Sequence, residues 1–141
     1  MVIHHTIRRI GGVFMNLQAY KERLQLLLEQ KVISNTAHEV ALQAFTQIMG
    51  VVNKTDIDQA EMLFTHLPMA LTRIDAGEEV EEPAGEIMRE VEQSEHFGLA
   101  KEQVAMIEDK WSQPLPQGEK KFLYMHYVTV LNTNLYKEEL R

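Results

Sequence analysis

Apolar residues recur at intervals of three and four along almost the whole chain, and this periodicity limits the fold more than any other feature. The strongest example is a stripe with spacings of +3, +4, +3 and +4, formed by Phe97, Ala100, Val104, Ile107 and Trp111. An α-helix brings such positions onto one side, whereas a half-buried strand would need alternation with a period of two. The stripe therefore predicts an amphipathic helix with one buried face.

The first half of the chain gives three more helical segments. The first spans about residues 15–31, where leucines repeat at helical spacing. Thr36 and Glu39 have the spacing of a capping box, so they mark the expected start of the second helix. Thr55 or Asp56 is the expected N-cap of the third helix, because a short polar side chain can accept a hydrogen bond from the first turn.

In the second half, Gly77 is expected to end the third helix, and Pro83 to open a short fourth one. Ser94 is the expected cap of the striped helix, and the last helix is predicted at about residues 117–138. Residues 127–130 are rich in β-branched side chains, but no turn residues flank them, so we interpret them as helix.

Short connections between these segments favour antiparallel neighbours. We therefore predict an all-α fold, a compact bundle of five to six antiparallel helices with no convincing strand, formed by residues 15–141 as a single domain. Residues 1–14 hold two basic and no acidic residues, and we expect a leader that is either mobile or a non-native extension. Gly11 and Gly12 can be encoded by a ribosome-binding sequence, which makes Met15 the expected alternative start.

Composition excludes several classes of function. The chain has no cysteine, so disulfides, thiolate metal sites and a cysteine nucleophile are ruled out, and a reducing cytoplasm is the expected location. The formal net charge of −7 argues against direct binding of nucleic acid, which requires Lys and Arg to neutralise phosphates. No apolar run approaches the ~20 residues of a membrane span, so no membrane partner is expected.

Two histidines occur in matched surroundings. His66, Ala70 and Arg73 lie at i, i+4 and i+7, on one side of the third helix, and Glu119 and His126 lie at i and i+7 on the last. Each histidine flanks apolar residues, and each has a charged residue on its own helical face. Such a histidine can be reachable from solvent and still be coupled to packing.

The segments around the two histidines resemble those of the PTS regulation domain (PRD). This is the all-helical module that phosphotransferase-system proteins phosphorylate on histidine in bacterial antiterminators and activators. The resemblance covers about residues 56–131, and it includes the exit from Gly77 to Pro83 and the step from Phe97 to Ala100.

The resemblance implies a stand-alone regulatory domain, not an enzyme, that works without a cofactor. His66 and His126 would receive phosphoryl groups from the phosphocarrier HPr or an enzyme IIB component, and Arg73 and Glu119 would frame the two sites. The added charge would modulate transcription or a partner regulator through dimerisation, either as a homodimer or with another PRD-containing regulator.

Two alternatives remain open on the residues themselves. The chain could be a helical interaction module that has kept the fold and lost phosphorylation, or a small enzyme that uses His66 or His126 as an acid or base. Pro68 bears on the first alternative, because proline cannot donate to the carbonyl of Phe64 and is expected to kink the helix beside His66.

Metal chemistry finds no support in the pattern. A ferritin-like di-metal centre needs a glutamate three residues before a histidine, and no histidine here has one. The remaining histidines are expected to be surface residues: His4, His5, His38 and His96.

Overall fold

The computed structural model describes residues 14–78 and 81–139. This part of the chain forms six helices, α1 (Leu17–Glu29), α2 (Asn35–Val52), α3 (Glu61–Asp75), α4 (Gly85–Glu92), α5 (Phe97–Trp111) and α6 (Gln117–Glu139), and two short strands, β1 (Phe14–Met15) and β2 (Ile57–Asp58). The predicted all-α class and number of helices are confirmed. The predicted leader lies outside the described residues apart from Phe14, which belongs to β1.

The first two helices begin with side-chain caps. Asn16 accepts from the backbone N–H of Ala19 at 2.8 Å, and Ser34 accepts from Ala37 at 3.1 Å. The prediction that Thr36 and Glu39 form the cap of α2 is therefore wrong, since the helix begins before both of them. The backbone of Ser34 lies in the β region, as an N-cap requires. Its side chain accepts a hydrogen bond from a first-turn N–H that would otherwise have no partner.

The short antiparallel pair of strands corrects the prediction that there is no strand. Phe14 pairs with Asp58 and Met15 with Ile57, so β2 directly follows Thr55 and Asp56, the predicted caps of α3. Helix α3 instead begins at Glu61, after Ala60, which makes no side-chain cap. Asp56 and Thr55 lie in the turn that leads into β2.

The side chain of Asn134 fastens α6 to β2. Its amide oxygen accepts from the N–H of Asp58 at 2.9 Å, and its amide nitrogen donates to the carbonyls of Asp58 at 2.9 Å and Val130 at 2.8 Å. The ammonium of Lys54 donates to the backbone carbonyl of Asn134 at 2.9 Å. Asn134 is fully buried, so these bonds satisfy polar groups that water cannot reach.

The core centres on four buried aromatic rings, Tyr20, Phe45, Phe64 and Tyr127. The rings of Tyr20 and Phe45 are 4.8 Å apart, and Phe64 meets Tyr20 and Phe45 edge to face at 5.4 and 5.0 Å. Tyr127 lies edge to face with Phe64 at 6.2 Å. These four residues join α1, α2, α3 and α6, so the two histidine-bearing helices are packed into the same core.

The hydroxyl of Tyr20 compensates for Pro68. Pro68 lies inside α3 and has no N–H for the carbonyl of Phe64, and Tyr20 donates to that carbonyl at 2.7 Å. One turn later, Thr72 donates its hydroxyl to the carbonyl of Pro68 at 2.9 Å. The backbone carbonyls of Phe64 and Pro68, on either side of the proline interruption, are therefore each hydrogen-bonded by a side-chain hydroxyl.

The segments that precede α4 and α5 each depart from prediction. Pro83 lies before Gly85, the first residue of α4, and does not open the helix. The N-cap position of α5 is His96 rather than Ser94, whose hydroxyl accepts from the backbone N–H of His96 at 3.1 Å. His96 is not a surface residue as predicted, because it is 8% exposed and its Nδ1 contacts Oδ1 of Asn132 on α6 at 2.8 Å.

The predicted stripe of α5 is confirmed, with four of its members buried and Phe97 half-buried against Tyr124 of α6. Residues 127–130 are helical as predicted, within α6. Among the described residues, no helix is both long enough and apolar enough to cross a membrane.

Candidate functional site

Helices α3 and α6 bring His66 and His126 together. Their ring centroids are 5.4 Å apart, with the planes tilted by 48°. Phe122, one turn before His126 on α6, lies beside both, at 6.2 Å from the His66 ring and 6.5 Å from the His126 ring. Both histidine side chains are half-buried.

Glu119 links the two helices at this point. One carboxylate oxygen, Oε1, lies 3.1 Å from Nε2 of His66, and the other, Oε2, lies 3.5 Å from Nη2 of Arg73. The side chain of Glu119 is only 3% exposed, whereas those of His66 and Arg73 are 23% and 36% exposed. A nearly buried carboxylate thus lies beneath two side chains that solvent can reach.

The partners of Glu119 favour its ionised form. Burial alone would raise the pKa of the carboxyl group, but the hydrogen bond with His66, the charge of His66 and the guanidinium of Arg73 outweigh burial. The pKa of Glu119 is consequently held below its ordinary value of 4.5. Near neutral pH, the site therefore contains a fixed negative charge.

The ring of His126 favours its neutral form. Burial lowers the pKa of His126 from its ordinary value of 6.5, and the nearby charge of His66 lowers it further, while Glu119 acts in the opposite direction. A neutral imidazole keeps a lone pair on one nitrogen, which is the form that can act as a nucleophile or a base.

The two lysines that follow Glu119 in sequence form ion pairs with other carboxylates. Lys120 pairs with Glu108 of α5 at 3.7 Å, and Lys121 pairs with Glu82 at 2.8 Å. Arg73 is the cation that contacts the carboxylate at the site, and its partial exposure leaves donors free to meet an anion.

The predicted site residues are found in one place. His126 lies beside His66, which contacts Glu119, and Glu119 in turn contacts Arg73. The pattern missed Phe122, although its position four residues before His126 places it on the same helical face. His38 lies half-buried on α2, and His4 and His5 lie outside the described residues.

Metal binding has no evident place in the described part of the chain, where no group of three or more His, Asp or Glu side chains is arranged to hold an ion. The chemistry available at the site is that of imidazole nitrogens, a carboxylate and a guanidinium.

One comparison with known proteins gives a result. The family model described as the PRD domain matches residues 41–130, a range that runs from α2 to α6 and contains both histidines. The match begins earlier than the resemblance drawn from the sequence, which started at about residue 56. No curated protein and no solved structure matches the chain.

Proposed function

The chain belongs to the PRD domain family, the regulatory domains of the phosphotransferase system, and we propose that it receives phosphoryl groups on His66 and His126. The donor would be the phosphocarrier HPr or an enzyme IIB component, a partner that rests on family membership. Phosphorylation would then modulate transcription or a partner regulator through dimerisation with a second copy or another PRD-containing regulator. The observation that carries the proposal is the contact between the two histidine rings beside a buried carboxylate.

Imidazole is suited to a reversible phosphoryl signal. A neutral ring nitrogen attacks phosphorus readily, and the resulting phosphohistidine can pass its group on. Exposure of about a quarter of the His66 side chain supports access by a donor protein, while contact with Glu119 couples the ring to α6.

The charge that a phosphoryl group adds explains how the site would signal. A phosphoryl group brings almost two negative charges, and Glu119 already supplies one at this position. Arg73 contacts Glu119 at 3.5 Å and could turn to the phosphate instead. The helices α3 and α6 would then lose the contact between Arg73 and Glu119, and their packing at this edge would change.

A dimer would place this change at an interface. Met62 is 73% exposed and lies one turn before His66, on the same helical face. Met69, half-buried, follows His66 by three residues. An exposed apolar side chain next to a site that gains charge supports an interface whose stability depends on phosphorylation.

The proposal is tested by supplying phosphoenolpyruvate with enzyme I, HPr and enzyme IIB components. The wild-type chain should acquire phosphate that is labile in acid and stable in base, which distinguishes phosphohistidine from phosphoserine. Replacing His66 and His126 together by Ala should abolish labelling. Arg73→Ala should weaken labelling without removing it, because a guanidinium contact to phosphate contributes a few kcal/mol at most, roughly 1.5–3.

His38→Ala is the matched control, since His38 is half-buried on α2, away from the site. His96→Ala is less suitable as a control because it would remove a buried contact to Asn132. A double histidine variant that is labelled as well as wild type would end the proposal. Wild type that no donor labels would favour the module that has kept only the fold.

A further inference from the structure

His66 has two ring nitrogens, and only one of them is a nucleophile when the ring is neutral. One nitrogen then carries a hydrogen and is a donor, and the other carries a lone pair. A hydrogen bond to either nitrogen selects between the two tautomers. The partner of His66 therefore decides at which nitrogen a phosphoryl group can attach.

The structure gives one nitrogen a definite partner. Nε2 of His66 lies 3.1 Å from Oε1 of Glu119. An ionised carboxylate can only accept hydrogen bonds. Arg73 on the other oxygen supports the ionised form of Glu119, as does the lowered pKa of its carboxyl group. Nε2 must accordingly carry the hydrogen in this contact.

From this contact we infer that Glu119 holds His66 in the Nε2–H tautomer, so that Nδ1 is the nitrogen that takes the phosphoryl group. The phosphoryl step rests on the proposed function, whereas the tautomer does not. Glu119 is then a positioning residue, because it acts on phosphorus only through the ring of His66.

The step balances with a donor of the phosphohistidine class. The lone pair of Nδ1 forms a bond to phosphorus, while the phosphorus–nitrogen bond of the donor breaks and leaves its electron pair on the donor nitrogen. The hydrogen on Nε2 stays on His66 and donates to Glu119 throughout. Positive charge that develops on the ring therefore lies against a carboxylate, which stabilises it.

Attack through Nε2 is disfavoured by the same contact. It would first require the bond to Glu119 to break, and it would then put a group with almost two negative charges beside a nearly buried carboxylate. Because the side chain of Glu119 is 3% exposed, water screens that repulsion weakly.

Nitrogen NMR of the unphosphorylated protein, labelled with ¹⁵N in histidine, tests the tautomer directly. At a pH at which the ring is neutral, Nδ1 of His66 should show the shift of a lone-pair nitrogen and Nε2 that of an N–H nitrogen. The signals are assigned by their loss in His66→Gln. A lone-pair shift at Nε2 would overturn the inference, whether or not the chain is ever phosphorylated.

Coupling between ³¹P and ¹⁵N in the phosphorylated protein identifies the modified nitrogen. Phosphorus on Nδ1 of His66 supports the inference. Phosphorus on Nε2 would refute it and leave the proposed function intact. If no donor phosphorylates the chain, the proposed function fails, and the tautomer measurement alone decides the inference.

Glu119→Gln provides a sharper test, because Arg73 can only donate. The amide oxygen of the new side chain should face Arg73, and its NH₂ group should face Nε2 of His66, which must then accept. The tautomer should switch, and phosphorylation of His66 should decrease, because Nδ1 then carries the hydrogen and the lone pair of Nε2 accepts from the new amide group. Glu61→Gln is the matched control on α3, since Glu61 pairs with Arg23 at 2.9 Å, and it should leave the tautomer unchanged. A Glu119→Gln protein that folds and keeps its hydrogen on Nε2 would contradict the role of Glu119.

Discussion

The burial of His126 makes the stability of the protein depend on pH. Burial disfavours the charged ring, so the pKa of His126 in the folded state lies below its ordinary value of 6.5. A group of this kind binds more protons in the unfolded chain over the interval between the two pKa values. Its contribution to stability is complete above the ordinary pKa and is lost as pH falls towards the folded value.

We therefore expect the free energy of unfolding to decrease as pH is lowered from 7.5 to 5.5. Urea unfolding at each pH measures the decrease, and His126→Gln should make the curve flatter because its side chain does not titrate. His38→Gln, with His126 intact, should keep the slope of wild type. A slope that His126→Gln leaves unchanged would assign the pH dependence to other groups.

At the scale of elements, Tyr20 and Pro68 act as a pair across α1 and α3. The hydroxyl of Tyr20 occupies the position at the carbonyl of Phe64 that an N–H at position 68 would otherwise take. Removing that hydroxyl leaves a buried carbonyl without its donor, and such a loss costs about 1–3 kcal/mol. The cost should depend on the proline, because only proline makes the hydroxyl necessary.

A double-mutant cycle measures this dependence. Tyr20→Phe should lower the free energy of unfolding by about 1–3 kcal/mol in wild type and by clearly less in a Pro68→Ala background, where the alanine N–H can reach the carbonyl of Phe64. Tyr127→Phe is the matched control, since its hydroxyl is buried with no hydrogen-bond partner among the described residues. Equal costs of Tyr20→Phe in both backgrounds would show that the two residues are not coupled.

The sequence predicts elements that have a period and misses those that do not. The stripe of α5 follows from helical spacing, which local sequence carries. Strand β2 has two residues, too few for any alternation, and its partners, β1 and Asn134, are both far away in sequence. The tautomer of His66 likewise depends on a contact between distant segments, so only three-dimensional structure discloses it.

The sequence also does not show which polar residues in the segments between helices are buried. His96 follows a run of acidic residues and has the surroundings of a surface side chain, yet the turn before α5 folds it onto Asn132. The cap of α2 shows a related limit, since Ser34 and Thr36 are both good cap residues and only the local backbone conformation selects Ser34.

For the whole molecule, the proposed dimer is the property most exposed to test. Sedimentation velocity at high micromolar concentration should show a dimer, and phosphorylation should change its dissociation constant. Met62→Glu should weaken association about tenfold or more, the equivalent of about 1.4 kcal/mol, by adding charge one turn from His66. Ile87→Glu, at an exposed apolar residue of α4, should have little effect. A monomer at every concentration, with and without phosphate, would exclude self-association as the output.

Helix α6 is anchored at Asn134, near its C-terminal end, and it extends a long way from that anchor to Glu119, near its N-terminal end. Asn134 is tied to β2 and to Lys54, whereas Glu119 lies near the opposite end of the helix, about 22 Å away at 1.5 Å per residue. A rod held at one end and pushed at the other rotates about the held end, so a tilt of about 5° displaces the Glu119 end by about 2 Å. The strand pair of β1 and β2 would then serve as the pivot, and a chemical event at the histidines would become a rotation whose largest displacement is at the beginning of α6.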